Sequence, residues 1–147
     1  MFFKQIWQLQ DHNRKKAGYF WDHNRQNARL EKTVHPCLST EVRNAIVGDF
    51  RPLELRNDIG GLWENFLGSE RLKRNAYHSF YGNTYFWQTV KQQEVDYIED
   101  YDGQLHAYEF KWNAGKNARL PAPFLQAYPG SPFQVINPEN YQAFLAP

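Results

Sequence analysis

The chain has 147 residues, 41% of them apolar, and its 17 Lys and Arg nearly balance its 16 Asp and Glu, which leaves a formal net charge of +1. A chain of this length forms one domain that buries roughly 70% of its unfolded surface without disulfides or a structural metal. The single cysteine, Cys37, excludes an intramolecular disulfide, and the short apolar runs exclude a secretory leader or a membrane span. We therefore expect a soluble, cytoplasmic protein.

The first 36 residues are expected to form an extension of uncertain role, separate from a domain over residues 37–147. The motif Asp-His-Asn-Arg occurs at residues 11–14 and again at residues 22–25, a spacing that stacks both copies on one face of a helix. The apolar residues of the extension follow only a ragged helical stripe. They are expected to pack either on this domain or on a second copy, which would make residues 1–36 the contact of a homodimer.

Two helices are predicted before the sheet begins. The first starts at Ser39 or Thr40 and stops at Gly48. The second runs from Asn57 or Asp58, either of which can cap it, to about residue 75. Its apolar residues recur at helical spacing: Ile59, Leu62, Trp63, Phe66 and Leu67. Its basic residues gather in the last turn, where they complement the helix dipole: Arg71, Lys73 and Arg74.

The second half of the chain changes to strand-like patterning. Aromatic and β-branched residues predict three consecutive strands: Thr84–Thr89, Glu94–Ile98 and Leu105–Trp112. A helix, a strand and a closing helical turn follow: Arg119–Ala127, Phe133–Ile136 and Pro138–Phe144. This order predicts an α/β fold with a mixed β-sheet flanked by helices.

The hairpin between the second and third strands fixes which residues face each other. If Asp102-Gly103 forms the two-residue turn, the numbers of every cross-strand pair sum to 205. Asp96 then lies opposite Glu109, and Glu94 lies opposite Lys111. Directly opposed carboxylates repel each other, whereas a bound divalent cation would turn that repulsion into coordination.

The alternation of the third strand separates two kinds of side chain. Period two places Glu109 and Lys111 on one face and Tyr108, Phe110 and Trp112 on the other. We therefore expect one face of the strand to carry chemistry and the other to belong to the core.

Charge is segregated along the chain although the net charge is small. Residues 94–109 hold six acids and no Lys or Arg, whereas residues 1–35 and 71–91 are mainly basic. This pattern is typical of a polyanion-binding protein that holds a divalent cation, and it also arises by accident in neutral domains. Three aromatic residues beside the basic helix end offer rings on which bases could stack: Tyr77, Phe80 and Tyr81.

Asp96, followed after the hairpin by Glu109-Phe110-Lys111, resembles the PD-(D/E)XK motif of restriction-endonuclease-like nucleases. Glu64, on the preceding helix, matches an acidic residue of those proteins. Several segments between about residues 40 and 145 are similar to the C-terminal domain (domain of unknown function 4143) of bacterial and archaeal AAA+ ATPases. These segments are Gly61–Phe66, Glu70–Arg74, Tyr85–Trp87, Glu94–Asp96 and Tyr108–Lys111.

The resemblance implies a restriction-endonuclease-like core and a metal-dependent nuclease acting on DNA or RNA. It implies that Asp96 and Glu109 bind Mg²⁺ or Mn²⁺, with Glu64 helping directly or through water. It also implies that Lys111 orients or deprotonates the attacking water and stabilises charge on the phosphate. The alternatives are a catalytically inactive module that binds nucleic acid or protein, a solvated Glu64, and a Lys111 that only pairs with Glu94.

The chain also departs from this family. No G-x-x-x-x-G-K phosphate loop is present, since Phe110 stands where Gly115-Lys116 would need its first glycine. We therefore expect no ATP site in this chain. Residues 1–36 match no part of the family, and we expect a truncated or recombined relative without the ATPase half.

Overall fold

The computed structural model describes residues 28–32, 44–45 and 48–147, and the structural statements below concern these residues. Five strands and three helices lie in this part of the chain. In order they are β1 (Ala28–Lys32), α1 (Ile59–Tyr77), β2 (Asn83–Thr89), β3 (Glu94–Tyr101), β4 (Gln104–Phe110), α2 (Ala122–Ala127), β5 (Phe133–Ile136) and α3 (Tyr141–Leu145). A 3₁₀ turn, Leu53–Leu55, precedes α1.

The strands form one five-stranded sheet in the order β1-β2-β3-β4-β5. Neighbouring strands are antiparallel from β1 to β4, and β5 is parallel to β4. The predicted α/β class with a mixed sheet flanked by helices is confirmed. No described helix is both long and apolar enough to cross a membrane.

The predicted elements are present, with shifted ends. The strand expected over Leu105–Trp112 stops at Phe110, and the helix expected from Arg119 begins only at Ala122. Pro121 occupies the N-cap of α2, where its fixed backbone angle suits a helix start. The start of the helix predicted at Ser39 or Thr40 lies outside the described residues, but its predicted end is confirmed, because Gly48 has a φ of +69° and its N–H bonds the Asn44 carbonyl.

One strand comes from the segment that the sequence places in the extension. Ala28–Lys32 pair antiparallel with β2, where a ragged helical pattern had been expected. Partly buried Leu30 packs against the core beneath the sheet. Part of this segment therefore belongs to the domain's sheet. The repeated motif and the predicted homodimer contact lie outside the described residues.

Helix α1 supplies most of the packing on one face of the sheet. Asp58 stands at its N-cap but its side chain makes no cap hydrogen bond, contrary to the predicted capping. The Asp58 carboxylate instead accepts two hydrogen bonds from Arg56, each 2.9 Å long.

Both faces of the sheet carry a hydrophobic core, which corrects the expectation that one face is chemical. The cluster under α1 and α3 comprises Trp63, Leu67, Tyr97, Tyr108, Phe110, Ile136 and Phe144. The cluster under α2 comprises Trp87, Val95, Ile98, Ala107, Leu120 and Phe124. Trp112, predicted to be core, lies beyond β4 and is 39% exposed.

The predicted hairpin register between β3 and β4 is confirmed. The pairs run from Tyr97 with Tyr108 to Tyr101 with Gln104, and each sums to 205. Asp102 and Gly103 have φ values of +52° and +74°, which is the geometry of the predicted two-residue turn.

Candidate functional site

A β-bulge in β3 sets the position of Asp96. The pairs that flank the bulge are Tyr85 with Ile98 and Trp87 with Val95. One residue of β2 therefore faces two residues of β3, Asp96 and Tyr97. A bulge breaks the alternation of a strand and re-aims a side chain, and bulges are frequent beside active sites. This irregularity explains how Val95 and Ile98, three positions apart, enter the same core cluster.

The backbone ladder between β3 and β4 ends just before the predicted site. Its last pair is Tyr97 with Tyr108. Beyond this pair a side chain replaces the backbone partner, because Asp96 Oδ2 accepts a hydrogen bond from the Phe110 N–H at 2.7 Å. Asp96 and Glu109 therefore do not form a backbone pair, although their residue numbers add up to 205 and the predicted register places them opposite each other. They lie at the point where the two strands lose their regular pairing.

Burial and the neighbouring charges together raise the pKa of Asp96 strongly. Burial raises the pKa of Asp96 to about 8, and the neighbouring Glu109 carboxylate adds to the rise. The Phe110 N–H lowers this pKa, Glu64 raises it, and Lys111 lowers it. The structure therefore brings the four predicted site residues into one electrostatic cluster, Asp96, Glu109, Glu64 and Lys111, which we call the carboxylate site.

Lys111 pairs with an acid inside this site. Its Nζ donates a hydrogen bond to Glu109 Oε1 at 2.5 Å, whereas the sequence left a pair with Glu94 open. Burial alone would lower the pKa of Lys111, but the hydrogen bond to Glu109 and the charge of Asp96 outweigh burial and raise it. Lys111 is consequently a stable cation at neutral pH.

Glu64 reaches the site from the first turns of α1. Loss of water around its carboxyl raises its pKa, Lys111 opposes the rise, and Glu94 and Glu109 add to it. The residue as a whole remains exposed to solvent. Solvent screening therefore keeps this shift smaller than that of Asp96.

The described residues contain no group of three or more His, Cys, Asp or Glu side chains arranged to hold a metal ion. Glu109 and Glu64 are close enough to Asp96 to raise its pKa, but the three acids are not in a preformed cage. Carboxylate oxygens are nevertheless the ligands that suit Mg²⁺ and Mn²⁺, and Mg²⁺ needs only one or two of them. The carboxylate oxygens of these residues are therefore suitable ligands for such an ion.

A second charged cluster, which the sequence did not predict, joins the same two elements. Arg71 of α1 donates from Nε and Nη2 to the two carboxylate oxygens of Glu99 in β3, at 2.8 and 2.7 Å. Asn75 donates to the same carboxylate at 2.7 Å. The guanidinium also donates a hydrogen bond to the Phe144 carbonyl, and its central carbon lies 4.4 Å from the centre of the Phe144 ring. We call this group the arginine clamp.

The arginine clamp sets the distance between α1 and β3 at the carboxylate site. Glu64 precedes Arg71 by seven residues, about 10.5 Å along a helix. Asp96 precedes Glu99 by three residues, about 10 Å along a strand. These similar lengths are consistent with the influence of Glu64 on the pKa of Asp96, and the clamp joins the two elements that carry both acids.

The sequence contains a pattern from which the arginine clamp could have been predicted. Glu99 shares strand parity with Tyr97, a core residue, so its side chain needed a buried partner. Arg71 had been assigned to the helix dipole, but only Arg74 lies in the last turn. Arg71 is therefore not available to a polyanion.

The predicted stacking residues differ in exposure. Tyr77 and Tyr81 are 82% and 98% exposed, so their rings are accessible. Phe80 instead packs edge-on against Tyr101, with ring centroids 5.5 Å apart.

The chain belongs to a family described as a domain of unknown function (DUF4143). The family model matches residues 59–144, which is more than half of the chain. The match begins at the first residue of α1 and spans all four residues of the carboxylate site. No curated protein and no solved structure matches the chain.

Proposed function

We propose that this domain is a metal-dependent nuclease with a restriction-endonuclease-like (PD-(D/E)XK) core, acting on phosphodiester bonds of DNA or RNA. The carboxylate site supports the proposal, and its central observation is the position of Asp96, which accepts the Phe110 N–H at 2.7 Å where the β3–β4 ladder ends, next to the Glu109–Lys111 pair. Burial there raises the pKa of Asp96 to about 8. Three carboxylates and one ammonium meet where the β3–β4 ladder ends. Perturbed pKa values of this kind concentrate at functional sites.

The excess of negative charge favours a site over a purely structural cluster. The arginine clamp shows that this fold can neutralise a buried carboxylate completely with a guanidinium. In the carboxylate site the ammonium of Lys111 bonds Glu109, and the one hydrogen bond that Asp96 accepts from the described residues comes from the Phe110 N–H. Asp96 has no cation of its own there, so it keeps a proton up to about pH 8, and a divalent cation would take the place of that proton.

Asp96 and Glu109 would hold Mg²⁺ or Mn²⁺, with Glu64 binding directly or through a water. When bound, such an ion polarises a phosphoryl oxygen and lowers the pKa of its water. The acids contribute oxygen ligands from three elements, α1, β3 and the end of β4. The arginine clamp fixes the first two of these elements relative to each other.

Lys111 performs its part of the reaction as a cation. Because the surrounding acids raise its pKa, it does not take a proton from water at neutral pH. Its ammonium instead orients the attacking water and stabilises the negative charge that develops on the phosphate. Of the two roles implied by the resemblance, orientation is therefore favoured over deprotonation.

A binding module of the same fold that does not cut is the second candidate. It is favoured by the pairing of Lys111 with Glu109 and by the lack, among the described residues, of a group arranged to hold a metal. In either case, the resemblance to the C-terminal domains of AAA+ ATPases leads us to propose that the domain works together with such a module.

Cleavage by the parent and by Lys111→Met tests the proposal. Labelled single-stranded DNA, duplex DNA and RNA are each incubated with Mg²⁺ or Mn²⁺. The parent is expected to cut at least one of them, and Lys111→Met to lose about 100-fold or more in rate while keeping its stabilisation by metal. Lys116→Met, at an exposed position away from the site, is the matched control and keeps the parent's rate.

Two outcomes decide between the candidates. Metal-induced stabilisation that needs Asp96, without cleavage of any of the three substrates, supports the binding module. Equal cleavage by the parent and Lys111→Met contradicts the role given to Lys111.

A further inference from the structure

A groove of about 380 Å³ lies along α1, on the side next to the carboxylate site. It extends from Ile59 to Lys73, a distance of about 21 Å along the helix axis. Trp112, from the segment after β4, forms part of its wall. Its other lining residues are Asn44, Leu53, Leu62, Trp63, Phe66, Ser69 and Glu70.

Two residues of this groove carry buried polar atoms without a partner. These are the indole Nε1 of Trp63 and the amide Oδ1 of Asn44, the only such side-chain atoms among the described residues. Trp63 is only 8% exposed. A buried donor or acceptor that makes no hydrogen bond costs free energy, and nearly all such groups in proteins are paired. Both residues line the groove, and a ligand with an acceptor and a donor would satisfy these two atoms once the side chains turn toward it.

The groove also presents aromatic surfaces. Trp63 contacts Trp112 edge-on, with ring centroids 5.4 Å apart, and stacks with Phe66 at 5.8 Å. Trp112 is 39% exposed although it belongs to this cluster. A flat ligand can therefore reach an aromatic face without unfolding the core.

The groove adjoins the carboxylate site on two elements. Trp63 directly precedes Glu64 in α1, and Trp112 directly follows Lys111 after β4. A nucleotide whose phosphate lies at Lys111 would thus bring its own base, or that of its neighbour, to the mouth of the groove. At the other end Lys73, which pairs with Glu70, is exposed and carries a positive charge for an adjacent phosphate.

We propose that this groove receives an unpaired base of the nucleic acid that binds at the carboxylate site, so that single-stranded nucleic acid is the substrate class. This inference rests on the proposed nucleic-acid function. Single-stranded bases bind by stacking on aromatic side chains and by hydrogen bonds to their edges, and the groove offers rings, a donor and an acceptor. Bases in a duplex are already stacked and paired, so they cannot enter.

Binding measured without metal tests the proposal independently of cleavage. A labelled 12-nucleotide single strand and the same sequence as a duplex are titrated with the protein in EDTA, and anisotropy is recorded. The parent is expected to bind the single strand about tenfold or more tightly than the duplex. Trp112→Leu keeps apolar bulk but removes the aromatic face, and it is expected to weaken single-strand binding by about 5- to 100-fold. Trp112→Phe restores most of the affinity.

Leu125→Ala is the control, because Leu125 is an exposed apolar side chain of α2 that does not line the groove, and the change is expected to leave binding unchanged. Melting temperatures of all variants show that they are folded. If Trp112→Leu is destabilised, Lys73→Met provides a second test, with an expected loss of single-strand affinity and a weaker salt dependence.

Four results overturn the inference: equal binding of duplex and single strand, binding of neither, loss on Leu125→Ala instead of Trp112→Leu, and a change of oligomeric state as the effect of Trp112→Leu. The last would make the groove a contact between copies of the chain. Any of these results can occur together with metal stabilisation that depends on Asp96 and with cleavage of duplex DNA. In that case the proposed nuclease function would still stand. Base binding without cleavage would instead support this inference together with the non-cutting module.

Discussion

The arginine clamp and the carboxylate site connect the same two elements, α1 and β3, but they treat buried charge in opposite ways. In the clamp one guanidinium meets one carboxylate in a two-pronged contact, and Glu99 is fully buried. In the carboxylate site three acids share one ammonium, and burial raises the pKa of Asp96 to about 8. The two groups are only three residues apart along β3.

This difference separates a structural ion pair from a binding site. A buried charge that has all its partners requires nothing further, and removing one partner leaves the other exposed to the low-dielectric interior. A buried acid without a cation, such as Asp96, is stable only with its proton, which a metal ion can replace. The fold thus uses the clamp to hold α1 against β3, while it keeps an acid without a counter-charge at the end of the strands.

Removing the charge of Glu99 should have the largest effect on stability. In Glu99→Gln the buried guanidinium of Arg71 loses its counter-charge, and we expect a loss of about 3–5 kcal/mol in the free energy of unfolding. Urea denaturation at pH 7 measures it. The control is Glu70→Gln, which removes the exposed pair with Lys73 and should cost less than about 1 kcal/mol. Similar losses for the two variants would contradict the structural role of the clamp.

The pH dependence of stability should distinguish the two clusters next. Folding raises the pKa of Asp96 to about 8 from its ordinary value of 3.8, so between these values the folded state holds more protons than the unfolded state. Stability is therefore greatest below the unfolded pKa and falls as the pH rises toward 8. From pH 5 to pH 7 the loss is at most about 2.7 kcal/mol.

Asp96→Asn checks this assignment, since the amide oxygen still accepts the Phe110 N–H but carries no charge. We expect its unfolding free energy to be nearly flat over the same pH range, and at pH 8 to be no lower than that of the metal-free parent. Urea midpoints at four pH values are sufficient. A parent whose stability rises between pH 5 and pH 7 would show that Asp96 is not the dominant group.

Neutralising Lys111 should have a smaller effect, because the pair with Glu109 is only partly buried. Lys111→Met should lower stability by about 1–2 kcal/mol at pH 7. It should also steepen the pH dependence, since Lys111 lowers the pKa of Asp96. Combining it with Asp96→Asn should cost less than the sum of the separate effects, and strict additivity in this double-mutant cycle would argue against a shared site.

A substitution in the hairpin turn should have the smallest effect on the free energy of unfolding. It should act equally on the arginine clamp and the carboxylate site. Gly103 has a φ of +74° and space for a Cβ, so Gly103→Ala should cost about 1 kcal/mol through backbone strain alone. The pH dependence should not change. Gly60→Ala, in α1 at an ordinary φ and also with free space, should instead be neutral or stabilising by up to about 1 kcal/mol. Chemical denaturation of both variants provides the comparison.

Local patterning was sufficient to predict most of this fold. The strand Phe133–Ile136 was predicted with its observed ends, and the turn at Asp102-Gly103 gave the register of β3 and β4. Both depend on residue types and periods within a few positions of each other. The register also led to Asp96 and Glu109, although they do not form a backbone pair, whereas Glu64 was implied only by the resemblance to the nuclease-like family.

The features that the sequence did not reveal depend on distant contacts. The bulge at Asp96 and Tyr97 arises from the pairing of β3 with β2, and no residue type marks it. The Arg71–Glu99 contact joins residues 28 positions apart. Trp112 continues the strand pattern of β4 but contacts Trp63 outside the sheet. The last two of these features required the packing of α1 on the sheet, and the bulge required the pairing of β3 with β2.

The response of the melting temperature to divalent metal tests the central claim most directly. The parent and Asp96→Asn are melted at pH 7.5 with Mg²⁺, with Mn²⁺, and with NaCl at equal ionic strength. We predict that metal at about 100 times its dissociation constant raises the melting temperature of the parent by on the order of 5 °C. We predict no rise for Asp96→Asn. An unchanged parent, or an equal rise in both proteins, would contradict a cation site at Asp96 and Glu109.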